Sequence, residues 1–246
     1  MNVILCGYDW TGCRALDMLI NLGCNVFVCT HDAPPHIPSL HEYASEREIL
    51  ATTETVNDTV LPFKPDILCS IYYRYIIKKN ILELVNYRAM NLHPSLLPKY
   101  RGCSSLTWAM IHGDYETGFT YHYINEGCDT GKVILQKKLD IYPFENQNNL
   151  YQRAMFSALK SFTEAFQLLL SGYEGQEQKG EPTYYARSVP ENGEINLNWN
   201  KRKIKRFIRA MINPPLPYAK INNVEIKKYS ELLDFINENR HCIKKF

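Results

Sequence analysis

The chain has 246 residues, of which 45% are hydrophobic, so it can bury the core of one large domain or of one domain with a small appendage. Its formal net charge of +2 at pH 7 gives little reason to expect a nucleic-acid partner. No apolar run approaches the roughly eighteen residues of a membrane span, and the start lacks the basic stretch of a signal peptide. We therefore expect a cytoplasmic protein without a membrane partner.

The cysteines and histidines do not predict a metal site. The eight cysteines, Cys242 among them, include no Cys-x-x-Cys pair and no repeated zinc-ligand spacing, so we expect reduced thiols. His31, His36 and His41 lie five residues apart in a segment that prolines interrupt, so they do not share one helical face. They are expected to be surface residues, with no metal bound.

The first part of the chain alternates between strand and helix patterns. Residues 2–7 predict an apolar strand ending in glycine, residues 12–22 a helix and residues 25–29 a second strand. This order opens a right-handed parallel unit, but residues 7–12 are not Gly-x-Gly-x-x-Gly, which disfavours a nicotinamide enzyme. Further on, we expect a helix beginning near Ser45 or Asn57, a buried strand over 65–72, a helix over 77–85 and a strand over 89–92.

The later part predicts one long helix over 150–170, whose apolar stripe, Phe156 included, is assigned to the core. Residues 172–182 are rich in glycine, glutamate and glutamine, so we expect a catalytic core over 1–178 and a small α+β subdomain over 179–246, packed on that core. The other expected elements are a helix over 108–111, strands over 119–124 and 133–141, a strand over 194–199, a helix over 201–211, short strands between 220 and 229 and a helix near Leu232.

Three side chains predict acyl-transfer chemistry. Asn91 and His93 flank one apolar residue, so on a strand both point to the same face. Asp129 follows in the turn that ends at Gly131. An amide can hold a developing oxyanion, an imidazole can move or stabilise a proton, and a carboxylate can orient the imidazole. We predict these three as catalytic residues, with the proton acceptor open between His93 and Asp129.

The pattern around these residues resembles a known family. Residues 91–102 fit Asn-x-His-x-Ser-x-Leu-Pro-x-x-(Arg/Lys)-Gly, and the match extends through GDYETGFTYHYINEGCDTGKVILQ at residues 113–136. At these positions the chain is similar to the folate-dependent formyltransferases. The resemblance implies an α/β fold with a Rossmann-like core and a mostly parallel sheet, and formyl transfer from 10-formyltetrahydrofolate without a metal.

The same resemblance implies two segments that bind the cofactor. Residues 70–77 resemble the segment that receives the pterin ring, and the turn before Asp129 closes the other side of that pocket. The implied cofactor-binding residues are Tyr75, Ile76, Ile77, Asn125, Glu126, Gly127, Cys128 and Asp129.

The Tyr-Tyr-Arg sequence at 72–74 and the order of the C-terminal segments resemble the sugar-nucleotide branch of the family. The implied substrate is a nucleotide-linked amino sugar, first dTDP-4-amino-4,6-dideoxyglucose, with the 3-amino isomer as close competitor, and the implied assembly is a homodimer. Trp10, Lys78 and Trp199 are the candidate substrate contacts. Core packing explains Trp199 equally well, and a structural brace explains Arg209 better than a phosphate contact.

Other functions stay open at this point. Glycinamide ribonucleotide formylation shares the His-Pro-Ser-Leu-Leu-Pro run, but its phosphate loop is replaced here by residues 7–12. Formylation of initiator tRNA needs a larger basic C-terminal domain than residues 179–246 provide. Cys103 stands where the sugar branch carries an arginine, which puts one contact in doubt. A folate- or nucleotide-binding regulator without turnover is the alternative from another class.

Overall fold

The computed structural model describes residues 1–239, so Cys242 lies outside the described residues. By contacts the chain forms two compact units. The first comprises Met1–His93, Phe119–Lys137 and Met155–Glu181, and the second Pro94–Gly118, Lys138–Ala154 and the chain from Pro182 onward. The predicted core at 1–178 and subdomain at 179–246 stay a prediction.

Strands and helices alternate in the first half of the chain. In order they are β1 (Asn2–Gly7), α1 (Asp9–Asn21), β2 (Asn25–Cys29), α2 (Leu40–Ser45), β3 (Ala51–Thr52), β4 (Ile67–Ile71), α3 (Lys79–Leu84), β5 (Ala89–His93), β6 (Arg101–Gly102) and α4 (Ser105–His112). The second half contains β7 (Glu116–Tyr123), β8 (Val133–Asp140), α5 (Gln147–Lys160), α6 (Phe162–Leu170), β9 (Tyr184–Tyr185), a 3₁₀ turn at Pro190–Gly193, α7 (Lys201–Ala210), β10 (Ala219–Ile221), β11 (Val224–Ile226) and α8 (Tyr229–Glu238).

A seven-stranded sheet has the order β3-β2-β1-β4-β5-β7-β8. The pairs from β3 to β5 are parallel, and β7 joins β5 antiparallel, so the predicted mostly parallel α/β fold is confirmed. The parallel strands are nearly continuous apolar runs because both faces of the sheet are covered. One face carries a buried cluster that includes Ile4, Phe27 and Leu68. Within residues 1–239, no helix is both long enough and apolar enough to span a membrane.

A close approach at the first strand-to-helix turn explains two glycines there. A Cβ atom on Gly12 would lie 2.8 Å from Leu40 Cδ2 and 3.3 Å from the Gly7 carbonyl carbon. Any larger residue would need Leu40 to move and the Gly7 main chain to shift by a few tenths of an ångström, so glycine favours the close approach of α1 to the end of β1. The residues that follow β1 are held at the carboxyl edge of the sheet as a result.

Three helix and strand predictions were wrong. The helix expected to begin near Ser45 or Asn57 instead begins at Leu40, because Ser39 caps it by accepting the Glu42 N–H at 3.2 Å, and it ends at Ser45. The single helix over 150–170 is two helices, divided at the buried Ser161, and Phe156 is 58% exposed because it lies outside the apolar stripe. Residues 194–199 form one isolated bridge from Glu194 to Lys220 rather than a strand.

Two further predictions concern the basic run at 201–206 and the cysteines. The basic run forms the exposed side of α7, while Ile204, Phe207 and Ile208 are buried, as its helical spacing predicts. The seven cysteines within the described residues are free, and four of them are buried in the core: Cys6, Cys13, Cys29 and Cys69. Burial raises the pKa of Cys13 to about 11, so that thiol is protonated at neutral pH.

Candidate active site

Three polar side chains form a row on one face of the sheet. Asn91 on β5 is the register partner of Ser70 on β4 and of His122 on β7. Register partners on neighbouring strands point to the same face, so a hydroxyl, an amide and an imidazole lie side by side. His93, two residues beyond Asn91, shares this face, as the sequence predicted.

The hydrogen bonds of this row fix the orientation of the Asn91 amide. His122 Nδ1 lies 2.8 Å from the main-chain carbonyl of Tyr123, which can only accept, so Nδ1 carries the ring proton. Nε2 of the neutral ring is then an acceptor, and Asn91 Nδ2 lies 3.1 Å from it. The amide oxygen therefore faces Ser70, whose hydroxyl donates to it over 2.7 Å. One N–H of the amide remains to donate elsewhere.

Asp129 places one carboxylate against two imidazoles. Its Oδ2 lies 3.5 Å from His93 Nδ1, and its Oδ1 lies 3.4 Å from His122 Nε2. The three side chains are between 3% and 12% exposed. In so little water the charge of the carboxylate is weakly screened, so it interacts strongly with the polar groups that face it. The predicted pair of His93 and Asp129 is therefore brought together, and His122 joins it.

The turn that carries Asp129 is held at several points. Asp129 has a φ of 53°, which is uncommon for a residue other than glycine. Gln178 Nε2 donates to the main-chain carbonyls of Asp129 and Gly131, each over 2.8 Å. A Cβ atom on Gly131 would lie 1.8 Å from the Tyr123 carbonyl oxygen, so only glycine fits there. The carboxylate is thus positioned by main-chain packing as well as by its own contacts.

The two segments expected to bind the cofactor are close together in the first unit. The Lys79 ammonium lies 3.2 Å from a carboxylate oxygen of Glu126, which joins the start of α3 to the Asn125–Asp129 turn. Ile76 is 78% exposed and Tyr75 36% exposed, so flat apolar and aromatic surface is available to a ligand. The Ile77 side chain is buried in the core, so only its main chain can face a ligand.

The rest of this turn is exposed. Asn125, Gly127 and Cys128 lie on the surface, and the side chain of Asn125 accepts hydrogen bonds from the Gly127 N–H and the Thr130 hydroxyl. The Cys128 thiol lies 3.6 Å from Asp129 Oδ2. These residues lie next to Asp129 in the chain, and their contact with a cofactor stays a prediction.

The predicted substrate contacts have different surroundings. Trp10 is the second residue of α1, and its indole N–H is buried without a hydrogen-bond partner among the described residues. Lys78 is exposed, and its main-chain N–H donates to Asn57 Oδ1 over 2.8 Å. Trp199 lies in the second unit, where its ring packs edge-on against Phe207 at 5.1 Å. For Trp199 the sequence favoured core packing and substrate contact equally, and this contact with Phe207 is of the packing kind.

Arg209 is a brace within the second unit. Its guanidinium donates to the main-chain carbonyls of Tyr142 and Glu145, the latter over 2.6 Å. Burial lowers the pKa of Arg209 from its ordinary value, although the Glu145 carboxylate opposes that change. These contacts agree with the prediction that Arg209 braces the fold rather than binding a phosphate.

Sequence reasoning missed Ser70 and His122. Both occur inside apolar strand patterns, where a serine or a histidine is usually a satisfied core residue. The available signal was the register: once β4, β5 and β7 are neighbours, the polar residues on them fall on one line. Strand order across an antiparallel junction is not readable from a single sequence, so this line was hidden.

Residues 25–166 of the chain match the formyl transferase family. A curated relative, the GDP-perosamine N-formyltransferase of Brucella melitensis, is 36% identical over 226 residues, which cover 89% of this chain and 87% of the relative.

Two solved structures share the fold. One is WlaRD, a sugar 3N-formyl transferase solved with dTDP and 5-N-formyl-THF, with a TM-score of 0.80 and 24% identity over 93% of this chain and 85% of that chain. The other is a 4-N formyltransferase from Francisella tularensis, with a TM-score of 0.78 and 20% identity over 92% of this chain and 97% of that chain. At these identities the likeness concerns the fold alone.

Proposed function

The chain belongs to the formyl transferase family, and from this membership we propose that it moves a formyl group from 10-formyltetrahydrofolate to the amine of a nucleotide-linked amino sugar. The observation that carries the proposal is the meeting of Asn91, His93 and Asp129 on one face of the sheet. The relative at 36% identity acts, by its name, on a nucleotide sugar, which supports the same acceptor class here.

Each side chain has a role that follows from its chemistry. The bound folate supplies the formyl group. As the sugar amine adds to the formyl carbon, the remaining N–H of Asn91 donates to the oxygen that gains negative charge. His93, held at 3.5 Å from the Asp129 carboxylate, stabilises that charge as the protonated ring. Asp129, between two imidazoles, removes or passes on the proton that the amine loses. That proton would go to the folate nitrogen as its bond to the formyl carbon breaks, so that the formylated sugar and tetrahydrofolate are the products.

No metal enters this mechanism, because a positioned neutral amine is already a competent nucleophile. Orientation is therefore the main contribution of the protein. The row of hydrogen bonds from Ser70 through Asn91 to His122 supports this, since it holds the donor N–H in one direction. The buried surroundings strengthen each of these contacts by excluding water.

The identity of the sugar is the finer part of the proposal. The sequence predicts dTDP-4-amino-4,6-dideoxyglucose, with the 3-amino isomer second. The relative named as a GDP-perosamine N-formyltransferase favours a GDP-linked amino sugar as the other candidate. We therefore propose an amino-dideoxy sugar carried by a nucleoside diphosphate, and expect one of these three to be the best substrate.

The test is a mass-spectrometric transfer assay with 10-formyltetrahydrofolate and the three amino-sugar nucleotides, with glycinamide ribonucleotide as a fourth acceptor. A product heavier by one formyl group, absent with the His93→Ala variant, supports the proposal and selects the sugar. Turnover of glycinamide ribonucleotide alone would move the protein to that reaction. Binding of a folate analogue without transfer to any acceptor would favour the regulator.

The assembly is a separate proposal. We infer a homodimer from the resemblance to the sugar-nucleotide branch, and light scattering at several protein concentrations measures it. A monomer at all concentrations would contradict that inference and leave the proposed reaction untouched.

A further inference from the structure

Three aromatic rings that the proposed chemistry does not use lie together in the first unit. Tyr8 follows β1, His31 comes shortly after β2, and Tyr72 follows β4. The rings of Tyr8 and His31 are stacked, with centroids 3.8 Å apart and an interplanar angle of 13°. Tyr72 lies 6.3 Å from Tyr8 at 28°. These three residues are the aromatic platform.

One ring of the platform, Tyr72, faces solvent, whereas Tyr8 and His31 are half-buried. Tyr72 is 41% exposed, whereas the next residue, Tyr73, packs against the core and its hydroxyl accepts the Val56 N–H at 3.1 Å. Tyr72 also has a φ of 59°, a left-handed conformation that is strained for an aromatic residue. Such conformations persist where the surroundings impose them, and they cluster at ligand sites. Core packing does not account for this exposed ring.

A positive charge lies beside the platform. The guanidinium of Arg74 is 5.4 Å from the centroid of the Tyr75 ring, and the Tyr75 ring meets His31 edge-on at 5.9 Å. Burial and the neighbouring Asp9 carboxylate raise the pKa of the Tyr8 hydroxyl, and Arg74 is close enough to oppose that rise. Exposed aromatic faces next to a guanidinium are the chemistry that recognises a base joined to phosphate.

The strand register places the platform at a useful distance from the catalytic residues. Gly7 pairs with Ile71, and Ile71 pairs with Leu92, so Tyr8, Tyr72 and His93 leave three neighbouring strands at one level. With neighbouring strands about 4.8 Å apart, Tyr8 lies about 10 Å from His93, and His31, one strand further, about 14 Å. In a sugar nucleotide a hexose, a diphosphate and a pentose separate the reacting amine from the nucleobase, and together they can bridge such a span.

We propose that the aromatic platform binds the nucleobase of the sugar nucleotide and that Arg74 faces its diphosphate. This assignment rests on the proposed function for its ligand class. Every base offers a flat face, so the platform contributes affinity for a nucleoside diphosphate rather than a choice of base. Ligands of open parallel sheets bind outside the carboxyl ends of the strands, and the platform lies at those ends of β1, β2 and β4.

The experiment measures binding of GDP and of dTDP alone, by calorimetry, to the full chain and to three variants. Tyr72→Asn removes the ring with a residue that accepts the left-handed conformation, and Tyr72→Phe keeps the ring. Tyr115→Ala, at a tyrosine that is 89% exposed and outside the platform, is the matched control. We expect Tyr72→Asn to raise the Kd by about tenfold, while Tyr72→Phe and Tyr115→Ala stay within about twofold of the wild type.

Steady-state kinetics separates the platform from the reaction. Tyr72→Asn is expected to raise the KM for the amino-sugar nucleotide and to leave the KM for the formyl donor unchanged. A raised KM for the donor instead would assign the ring to the folate and overturn the proposal, as would unchanged Kd values in Tyr72→Asn. If Tyr72→Asn weakens nucleotide binding but the wild type formylates no sugar nucleotide, the platform stands and the proposed reaction fails.

Discussion

Replacing Gly131 by alanine tests whether the turn that carries Asp129 positions the carboxylate for catalysis. The new Cβ would lie 1.8 Å from the Tyr123 carbonyl oxygen, and real Cβ atoms essentially never approach a heavy atom closer than 3.0 Å. Relieving this clash takes about 1.2 Å of movement, and the neighbouring atom is main chain rather than a flexible side chain. Asp129, two residues away, must move with the turn.

Such a displacement has a predictable cost. A misplacement of about 1 Å in a catalytic group lowers a rate by about 100-fold, and overpacking of this kind destabilises the fold by about 1–3 kcal/mol. We therefore expect Gly131→Ala to lower kcat by about two orders of magnitude, with KM for the amino-sugar nucleotide little changed. The assay is formyl transfer under steady state, together with urea unfolding to measure the loss of stability.

A matched glycine controls for general damage. Apart from its chain neighbours, a Cβ atom on Gly172 would meet no atom of residues 1–239 within 4 Å, and the φ of this glycine is +75°. Gly172→Ala therefore carries backbone strain without a clash. We expect that variant to lose some stability and to keep its kcat. Wild-type kcat and unfolding midpoint in Gly131→Ala would refute the reasoning, because the clash would then be absorbed without moving Asp129.

Of three further predictions, two concern residues around the site and one concerns a residue outside it. His93→Ala should lower kcat by at least about 100-fold while a folate analogue still binds, measured by transfer and by fluorescence titration. Ser70→Ala should lower the free energy of unfolding by about 0.5–1.5 kcal/mol in urea, because the half-buried amide oxygen of Asn91 loses its donor; an unchanged value would contradict the hydrogen bond. Burial lowers the pKa of His112 from its ordinary 6.5, so the folded state binds fewer protons there; stability should fall as the pH drops through 6.5, less steeply in His112→Asn.

The strand and helix patterns of the sequence predicted the part of the fold that depends on local composition. The parallel strands β1, β2, β4 and β5 are apolar runs bounded by glycine or proline, and they lie where expected. Asn91 and His93 were predicted to share a face because they are two apart on one strand, and Asp129 was predicted from the later Asp-x-Gly motif; their catalytic role stays a proposal. Their partners in the row were not predicted, because strand neighbours are decided by long-range pairing.

The failed element predictions have local physical causes. The capping of α2 by Ser39 outweighed the weaker starts proposed at Ser45 and Asn57. Ser161 interrupts a continuous apolar pattern because it is buried and its hydroxyl accepts the Lys137 ammonium at 3.0 Å, an interaction that periodicity does not reveal. Apolar and polar residues alternate over 194–199 as they do in a strand, but among residues 1–239 this segment makes only one β-bridge, from Glu194 to Lys220. An alternating pattern does not by itself provide a neighbouring strand to pair with.

The orientation of Asn91 is traceable to a group that no mutation removes. The proton on His122 is placed by the main-chain carbonyl of Tyr123, and the amide then has one favourable direction. Every amino acid at position 123 has that main-chain carbonyl, so a substitution there does not reverse the orientation of the Asn91 side-chain amide. The direction of the Asn91 amide therefore depends on the path of the main chain at residue 123. Substituting the side chain at that position would not remove the carbonyl that fixes it.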